Sequence, residues 1–299
     1  MTLPTGLFAL LLVVPAPAAA TVAPSPLPWG FRGHQMAARV AVDALPLGMP
    51  GFFTAAADQL VYLDPEPDRW RSRTYREMDR AFSYDHYIDL ENVPADALAA
   101  PDRFAYLRAL YRAGVERPER DAGFLPFRIV EVYQRLVSGW SRWRRATDPS
   151  ERKWIEARIV NDAGILGHYV TDAANPHHTT IHFNGWAAGA PNPEGYTTDR
   201  KFHGRFERDF VEAHVTEADV RARVTGRPAA VTDVRAAVLA YIRASHDQVD
   251  TLYRLERDVG FDPAGPTHSE TRDFAAARLA AGADMLRTLW WAAWRQSAG

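Results

Sequence analysis

Two short segments of the chain each place a histidine and a carboxylate four residues apart. The pairs are His168 with Asp172 and His203 with Glu207. Since residues i and i+4 lie on the same face of a helix, each pair predicts a helical turn that offers two ligands to one metal ion. Neutral imidazole and carboxylate are ligands that zinc takes in proteins. The spacing therefore indicates a hydrolase with several metal ions.

Further imidazoles lie between and before these pairs. The segment Asn175-Pro-His-His178 places His178 just past a predicted helix end, while His34 and His86 come from separate upstream elements. A solitary histidine is more often a hydrogen-bonded structural residue than a ligand, but two such pairs around this segment favour a common site. The motifs of single-zinc proteases, serine hydrolases, phosphate-binding loops and di-iron bundles do not occur in the sequence.

The composition is that of a folded globular protein with no strong overall charge. Of the 299 residues, 47% are hydrophobic and 24% are charged, which supports a normal core. The formal net charge of -2 gives no global basic surface for duplex nucleic acid, although bound metal ions would add a local positive field. The absence of cysteine excludes disulfides, thiolate nucleophiles and cysteine-ligated zinc, so any metal must be bound by His, Asp, Glu and backbone groups.

Apolar residues recur at three-to-four spacing along most of the chain, which is typical of helices. This pattern predicts an all-α fold, a single compact multi-helix domain with a metal-cluster cleft and no internal repeat. The predicted helices cover residues 33–45, 95–111, 125–145, 151–172, 231–257 and 269–295. Residues 64–85 and 184–200 are predicted to be irregular, and the second segment to form a loop on the substrate side. The tryptophans of the last helix are assigned to core packing.

The N-terminal region has features of a secretory signal. An apolar run over residues 7–14 is followed by small residues and prolines up to residue 20, and it is too short to span a bilayer. We expect a signal peptide over residues 1–20, a Pro-rich linker over 21–28 and the folded domain over 29–299, with a secreted or periplasmic location. The signal is incomplete because no Lys or Arg precedes Arg32. No later stretch is a transmembrane candidate, so no transmembrane anchor is expected.

Five motifs, in their order along the chain, resemble those of the zinc-dependent phospholipase C and S-one/P-one nuclease superfamily. The match runs from Trp29 to about His214, and the combination is specific although each piece is short. The motifs are Trp29-Gly-Phe-Arg-Gly-His34, His86-Tyr-Ile-Asp89, His168-Tyr-Val-Thr-Asp172, Asn175-Pro-His-His178 and His203-Gly-Arg-Phe-Glu207.

The resemblance implies an all-α zinc-dependent phosphodiesterase domain with up to three zinc ions in one cleft. The upstream aspartate that it requires is Asp68 or Asp64, and Asp68 lies in a sequence similar to the family's Asp-x-x-Arg. The implied ligands are His86, His168, Asp172 and that aspartate for the first ion, His178, His203 and Glu207 for the second, and His34, Asp172 and the amine and carbonyl of Trp29 for the third.

Three residues depart from the family's pattern or distinguish its branches. The family's tryptophan begins the mature enzyme, whereas Pro28 precedes Trp29 here, so the third zinc depends on where the mature chain begins. Glu207 is similar to the phospholipases, since the nucleases usually have aspartate there. Arg32 stands where the choline-specific phospholipases carry a glutamate that faces the headgroup.

The resemblance also implies a reaction in which zinc lowers the pKa of bound water to about 7 and so supplies a nucleophile at neutral pH. Asp172 would be shared by two ions, and Asp68 would transfer a proton from the attacking water. Asp89 and Asp162 are candidates for orienting the imidazoles.

The substrate that we expect is single-stranded nucleic acid or nucleotides. Tyr87, Trp186 and Tyr196 are the aromatic residues that would stack on bases. A phospholipase C that cleaves phospholipid headgroups is the alternative, and a helical protein whose metal is structural is the second alternative. The sequence implies no stable protein partner.

Overall fold

Four long helices pack against one another and carry most of the core, as the computed structural model shows for residues 30–298. These are α1, α8, α9 and α15. The described helices are α1 (Phe31–Asp43), α2 (Gly51–Ala55), α3 (Ala57–Leu63), α4 (Glu66–Trp70), α5 (Arg76–Phe82), α6 (Arg103–Arg112), α7 (Pro118–Asp121), α8 (Leu125–Arg145), α9 (Pro149–Asp172), α10 (Phe202–Gly204), α11 (Val211–His214), α12 (Glu217–Arg221), α13 (Val234–His246), α14 (Val249–Asp258) and α15 (Ser269–Gln296).

Helical turns of other types complete this part of the chain, which contains no β-strand. Four short 3-10 turns occur at Ser83–Asp85, Leu90–Asn92, Ala97–Ala99 and Pro176–Thr179, and a π-helical segment at Arg205–Phe210 joins α10 to α11. The predicted all-α class is confirmed.

The longest helices begin and pack as their sequences dictate. Asp148 caps α9, since its carboxylate accepts hydrogen bonds from the backbone N–H groups of residues 150 and 151, and Pro149 occupies the first turn, where no N–H is needed. In the core, the indole of Trp290 on α15 donates to the carbonyl of Ala163 on α9. Trp140 on α8 and Trp290 both contact the ring of Phe53. The expected core role of the C-terminal tryptophans therefore holds for Trp290, which is fully buried.

Three predicted segments differ from the structure. Residues 64–85 are largely helical, because Pro67 lies in the first turn of α4, where proline is tolerated. Residues 95–101 precede α6, which begins only after Pro101, with Asp102 as its cap. The helix predicted over residues 231–257 is two helices, α13 and α14, and His246 at the end of α13 contacts the carbonyl of Thr179.

None of the helices in residues 30–298 is long and apolar enough to cross a bilayer. The predicted signal peptide (1–20), the linker (21–28) and Trp29 lie outside the described residues.

Candidate metal centre

The proposed ligands are held by the ends of helices that converge on the C-terminal turn of α9. His168 and Asp172 lie on that turn, and His34 lies on α1, which packs against α9. Asp64 ends α3, which also packs against α9. The close approach of Asp64 to α9 depends on Gly167, because a Cβ atom there would lie 2.2 Å from Oδ2 of Asp64.

The first group of ligand atoms comes from α4, α9 and the segment after α5. Nδ1 of His86 lies 3.0 Å from Nε2 of His168 and 3.0 Å from Oδ2 of Asp172. Nε2 of His168 lies 3.2 Å from the same carboxylate oxygen. Oδ1 of Asp68 completes the group, at 3.8 Å from His86 Nδ1 and 3.7 Å from His168 Nε2. Four ligands at zinc distances in a tetrahedron are about 3.3 Å apart, so this group fits a tetrahedral ion.

The segment that carries His86 is fixed by a buried ion network. Asp85, which is fully buried, accepts hydrogen bonds from Arg128 on α8 and from Arg103 on α6, at 3.0 Å for Arg103 Nη1. The backbone N–H of Ile88 donates to the carbonyl of His178 at 2.9 Å. These contacts hold the imidazole of His86 against the end of α9.

The second group consists of His178, His203 and Glu207. Nε2 of His203 lies 2.7 Å from Oε2 of Glu207 and 3.2 Å from Nε2 of His178. Nδ1–H of His178 donates to the carbonyl of His86 at 2.7 Å, so Nε2 is the nitrogen that faces the group and that a neutral imidazole would offer to a metal ion. Asn175 donates to Oε2 of Glu207 at 3.1 Å. His203 and Glu207 stay on one face although the helix widens to π-helical turns here, a feature frequent at functional sites.

The third group differs from the one that the sequence implied. Nδ1 of His34 lies 2.8 Å from Oδ1 of Asp64, while its Nε2 lies 3.5 Å from Oδ1 of Asp172. His34, Asp64 and His168 thus form a further set whose ligand atoms could hold an ion. The structure places Asp68, rather than Asp64, with His86 and His168. Trp29, which was expected here, lies outside the described residues.

Charge in the first and third groups is set by burial and by close partners. Burial lowers the pKa of His86 to about 3, so this imidazole is neutral, as a metal ligand must be. Burial also acts to lower the pKa of His34, but its hydrogen bonds with Asp172 and Asp64 raise that pKa to about 10. Burial raises the pKa of Asp64 and of Asp68.

In the second group, too, burial and nearby charged or hydrogen-bonding partners shift the pKa values in opposite directions. Burial would raise the pKa of Glu207, but the charges of His203 and the hydrogen bond with His178 hold it well below its usual range. Burial would lower the pKa of His178, but the charge of Asp172 and the hydrogen bond with Glu207 raise it to about 9. The carboxylates therefore stabilise positive charge among them, which is the property that a cation site requires.

A cavity of about 740 Å³ opens onto the first and second groups. Tyr87 lines it, and its hydroxyl donates to the carbonyl of Arg120 at 2.6 Å. Phe183, which is 44% exposed, lines it as well. The cavity is also lined by three arginines from separate parts of the chain, Arg71, Arg120 and Arg208. The cavity thus combines possible metal ligands, aromatic rings and cationic side chains.

Several residues chosen from the sequence lie elsewhere or play another part. Trp186 stacks on His182 at 3.7 Å between ring centroids, and Tyr196 packs on Trp186 and donates to Asp250, so both rings pack the 184–200 loop rather than line the cavity. Asp162 pairs with Arg135 at 2.6 Å, and within residues 30–298 no imidazole lies within ion-pair distance of it. Asp89 lines the cavity, and its Oδ1 is buried without a hydrogen-bond partner in the described chain.

Other features of the site were not foreseen from the sequence. Phe183 reaches the cavity because the chain turns at Gly185, whose φ of 80° suits glycine and where a Cβ atom would lie 2.6 Å from the carbonyl carbon of Thr198. Arg120 and Arg208 carry no local signal, since arginine is frequent throughout this chain. Asn175 belonged to a recognised motif, but its contact with Glu207 depends on tertiary packing.

No protein-family model, curated protein or solved structure matches this chain. The site is therefore defined by its geometry, which gives three groups of His, Asp and Glu that could hold metal ions.

Proposed function

We propose that this protein is a zinc-dependent phosphodiesterase that hydrolyses single-stranded nucleic acid or nucleotides. The observation that carries the proposal is the group of His178, His203 and Glu207, which offers three ligand atoms at the wall of a cavity. Structural zinc normally has four protein ligands, whereas catalytic zinc keeps one position for water or substrate. This geometry argues against the alternative in which the metal is only structural.

The donor set supports zinc as the metal. All donors are imidazole nitrogens or carboxylate oxygens, and the spacings of the first group suit a tetrahedral ion. Bound zinc would act as a Lewis acid that activates water near neutral pH. Asp172 would serve two groups, because Oδ2 faces His86 and His168 while Oδ1 faces His34. Asp68, at the cavity wall, would accept the proton of the attacking water.

The cavity walls support a nucleotide more than a phosphocholine headgroup. Arg71, Arg120 and Arg208 would bind phosphate oxygens and would repel a quaternary ammonium group. Tyr87 and Phe183 offer rings on which a base can stack. Burial raises the pKa of Asp89 to about 7, so this side chain suits hydrogen bonding to a base better than charge pairing with choline. Glu207 is the feature that keeps phospholipase C as the second candidate.

Export is part of this proposal and rests on the sequence of residues 1–28 alone. If the protein is secreted, its intact mass will show where the mature chain begins. A chain that begins at Trp29 would supply the free amine that the resemblance requires for the third zinc. A chain that retains residues before Trp29 would lack that ligand.

The test combines metal dependence with variants of two proposed ligands and a histidine control. We expect the purified protein to cleave single-stranded DNA or RNA, a chelator to abolish cleavage and zinc to restore it. His168→Ala and Glu207→Gln should each lower kcat/KM at least about 100-fold, because changes that only touch a metal ligand already cost 10- to 100-fold. His214→Ala is the control, since His214 bonds Thr267 and does not line the cavity.

Each alternative has its own outcome in these assays. Cleavage of phosphatidylcholine without cleavage of nucleic acid would replace the nuclease proposal by phospholipase C. Stoichiometric zinc in a folded protein that hydrolyses neither substrate would favour the structural-metal alternative. Full activity in both His168→Ala and Glu207→Gln would show that the site lies elsewhere.

A further inference from the structure

Residues 71–80 form an exposed basic surface, of which only Arg71 has a role in the proposed reaction. Four arginines lie in these ten residues, against two carboxylates, in a chain with 35 basic and 37 acidic residues overall. Arg73, Arg76 and Arg80 are exposed, and within residues 30–298 no carboxylate lies within ion-pair distance of them. This positive charge is therefore not used to stabilise the fold.

The surface has a fixed support. Trp70 at the end of α4 contacts Phe82 at the end of α5, with 5.3 Å between ring centroids. Between the helices, the N–H of Tyr75 donates to the carbonyl of Ser72 at 3.0 Å, and the N–H of Thr74 to the hydroxyl of Ser72 at 3.2 Å. The inner side of this helical hairpin is thus packed, and its turn is hydrogen-bonded.

One end of the same surface lies at the cavity. Arg71 lines the cavity and lies 3.6 Å from Asp68 of the first ligand group. Arg73 follows two residues later, and Arg76 begins α5. A polymer whose reacting phosphate lies against the first and second groups, and whose chain leaves the cavity past Arg71, would meet these arginines next.

We propose that residues 71–80 bind the phosphates of single-stranded nucleic acid that flank the bond being cleaved. This rests on the proposed function and extends it, because it makes the substrate a polymer rather than a mononucleotide. Tyr75, 59% exposed among the arginines, offers a ring to an unpaired base, and arginines interleaved with aromatic rings are typical of single-strand binding. An anionic membrane fits less well, since the segment has no exposed aliphatic side chain to insert.

The test compares two triple variants. Arg73→Gln, Arg76→Gln and Arg80→Gln together remove the surface. The control combines Arg108→Gln, Arg227→Gln and Arg243→Gln, three exposed arginines that do not line the cavity and have no ion pair within residues 30–298.

Binding is measured by fluorescence anisotropy with a labelled phosphorothioate oligothymidylate of about 12 nucleotides. This probe keeps its charges and resists hydrolysis, so the measurement does not depend on whether the protein cleaves anything. Each phosphate contact contributes about 0.7 to the slope of log K against log salt, so loss of three contacts should reduce that slope by about 2. Between 50 and 200 mM NaCl, wild-type affinity should therefore fall about 20-fold more than that of the surface variant. The control should keep the wild-type slope.

Cleavage and vesicle binding give independent readings. On a zinc-loaded protein that cleaves nucleic acid, kcat/KM for a dinucleotide should be unchanged in the surface variant, while kcat/KM for the longer oligonucleotide falls. An unchanged salt slope, or an equal loss in both triple variants, would overturn the proposal. So would loss of binding to phosphatidylglycerol vesicles with unchanged oligonucleotide binding, which would assign the surface to a membrane.

Discussion

Gly167→Ala tests the packing that brings the ligand groups together. A Cβ atom at this position of α9 would lie 2.2 Å from Oδ2 of Asp64, 3.1 Å from Cγ of the same side chain and 3.2 Å from Cδ2 of Leu286. Asp64 cannot simply rotate away, because it is fully buried and lies 2.8 Å from His34. We therefore expect α3 to shift and the contact between Asp64 and His34 to break.

The loss in the free energy of unfolding caused by Gly167→Ala follows from these contacts. Overpacking of a core costs about 1 to 3 kcal/mol, and loss of a hydrogen bond to a charged group costs about 1.5 to 3 kcal/mol. Alanine returns about 1 kcal/mol through its helix propensity. We expect a net loss of about 3 kcal/mol, which lowers Tm by about 6 to 12 °C for a domain of this size.

Gly33→Ala is the matched control. Gly33 precedes His34 in α1 and is buried, but a Cβ atom there would meet Leu279 at 3.6 Å and Val211 at 3.8 Å, which are ordinary contacts. This variant should keep or slightly raise Tm, because alanine favours the helix. Calorimetry and metal titration of both variants check the prediction. Equal Tm and equal metal content in Gly167→Ala and wild type would refute the close packing of α3 on α9.

Asp172 contacts two ligand groups, whereas Glu207 contacts one. Asp172→Asn should therefore lower the metal content of dialysed protein, measured by elemental analysis, more than Glu207→Gln does. Equal losses would contradict the shared role of Asp172. Phe183→Ala and Tyr87→Leu should each raise KM for an oligonucleotide about 5- to 150-fold with little change in kcat, because stacking contributes about 1 to 3 kcal/mol. An unchanged KM would show that these rings do not bind the substrate. Chelation should lower Tm by about 5 to 11 °C for each bound metal ion whose free concentration had been about 100 times its Kd. A Tm that does not change with chelator would argue against bound metal.

Structural features were predicted correctly from the sequence where they depend on residues that are close together in the chain. His168 with Asp172 and His203 with Glu207 lie together because helical spacing alone brings them to one face, and α8 was predicted with its observed bounds. Long helices depend on a periodic pattern that many residues share. Short helices such as α4 and α5 lack enough residues to show a period, so residues 64–85 were taken as irregular.

The distribution of ligands among the groups could not be predicted in this way. Asp64, at the end of α3, and Asp68, in α4, are close in sequence, and the packing of α3 against α9 at Gly167 directs Asp64 to His34 and leaves Asp68 to His86. The same limit applies to aromatic residues, because a ring's role depends on which side of a loop it occupies.

The cluster of carboxylates gives a separate reason to expect cations at this site. Asp64, Asp68, Asp172 and Glu207 are all at most 4% exposed. In the described chain, the basic groups within 4 Å of the three aspartates are imidazoles and the one guanidinium of Arg71. Burial of charge without compensation costs several kcal/mol per group, so wherever these carboxylates are ionised they must be matched by protonated imidazoles or by metal ions.

Two divalent ions would carry as many positive charges as these four carboxylates carry negative ones, and they would leave the imidazoles neutral, as ligands must be. Protonated His34 and His178 are the compensation that the chain itself can supply. Removal of bound metal would therefore replace coordination by these weaker ion pairs where α1, α3, α4 and α9 meet. For this reason, chelation should affect the stability of the whole helical core and not only activity.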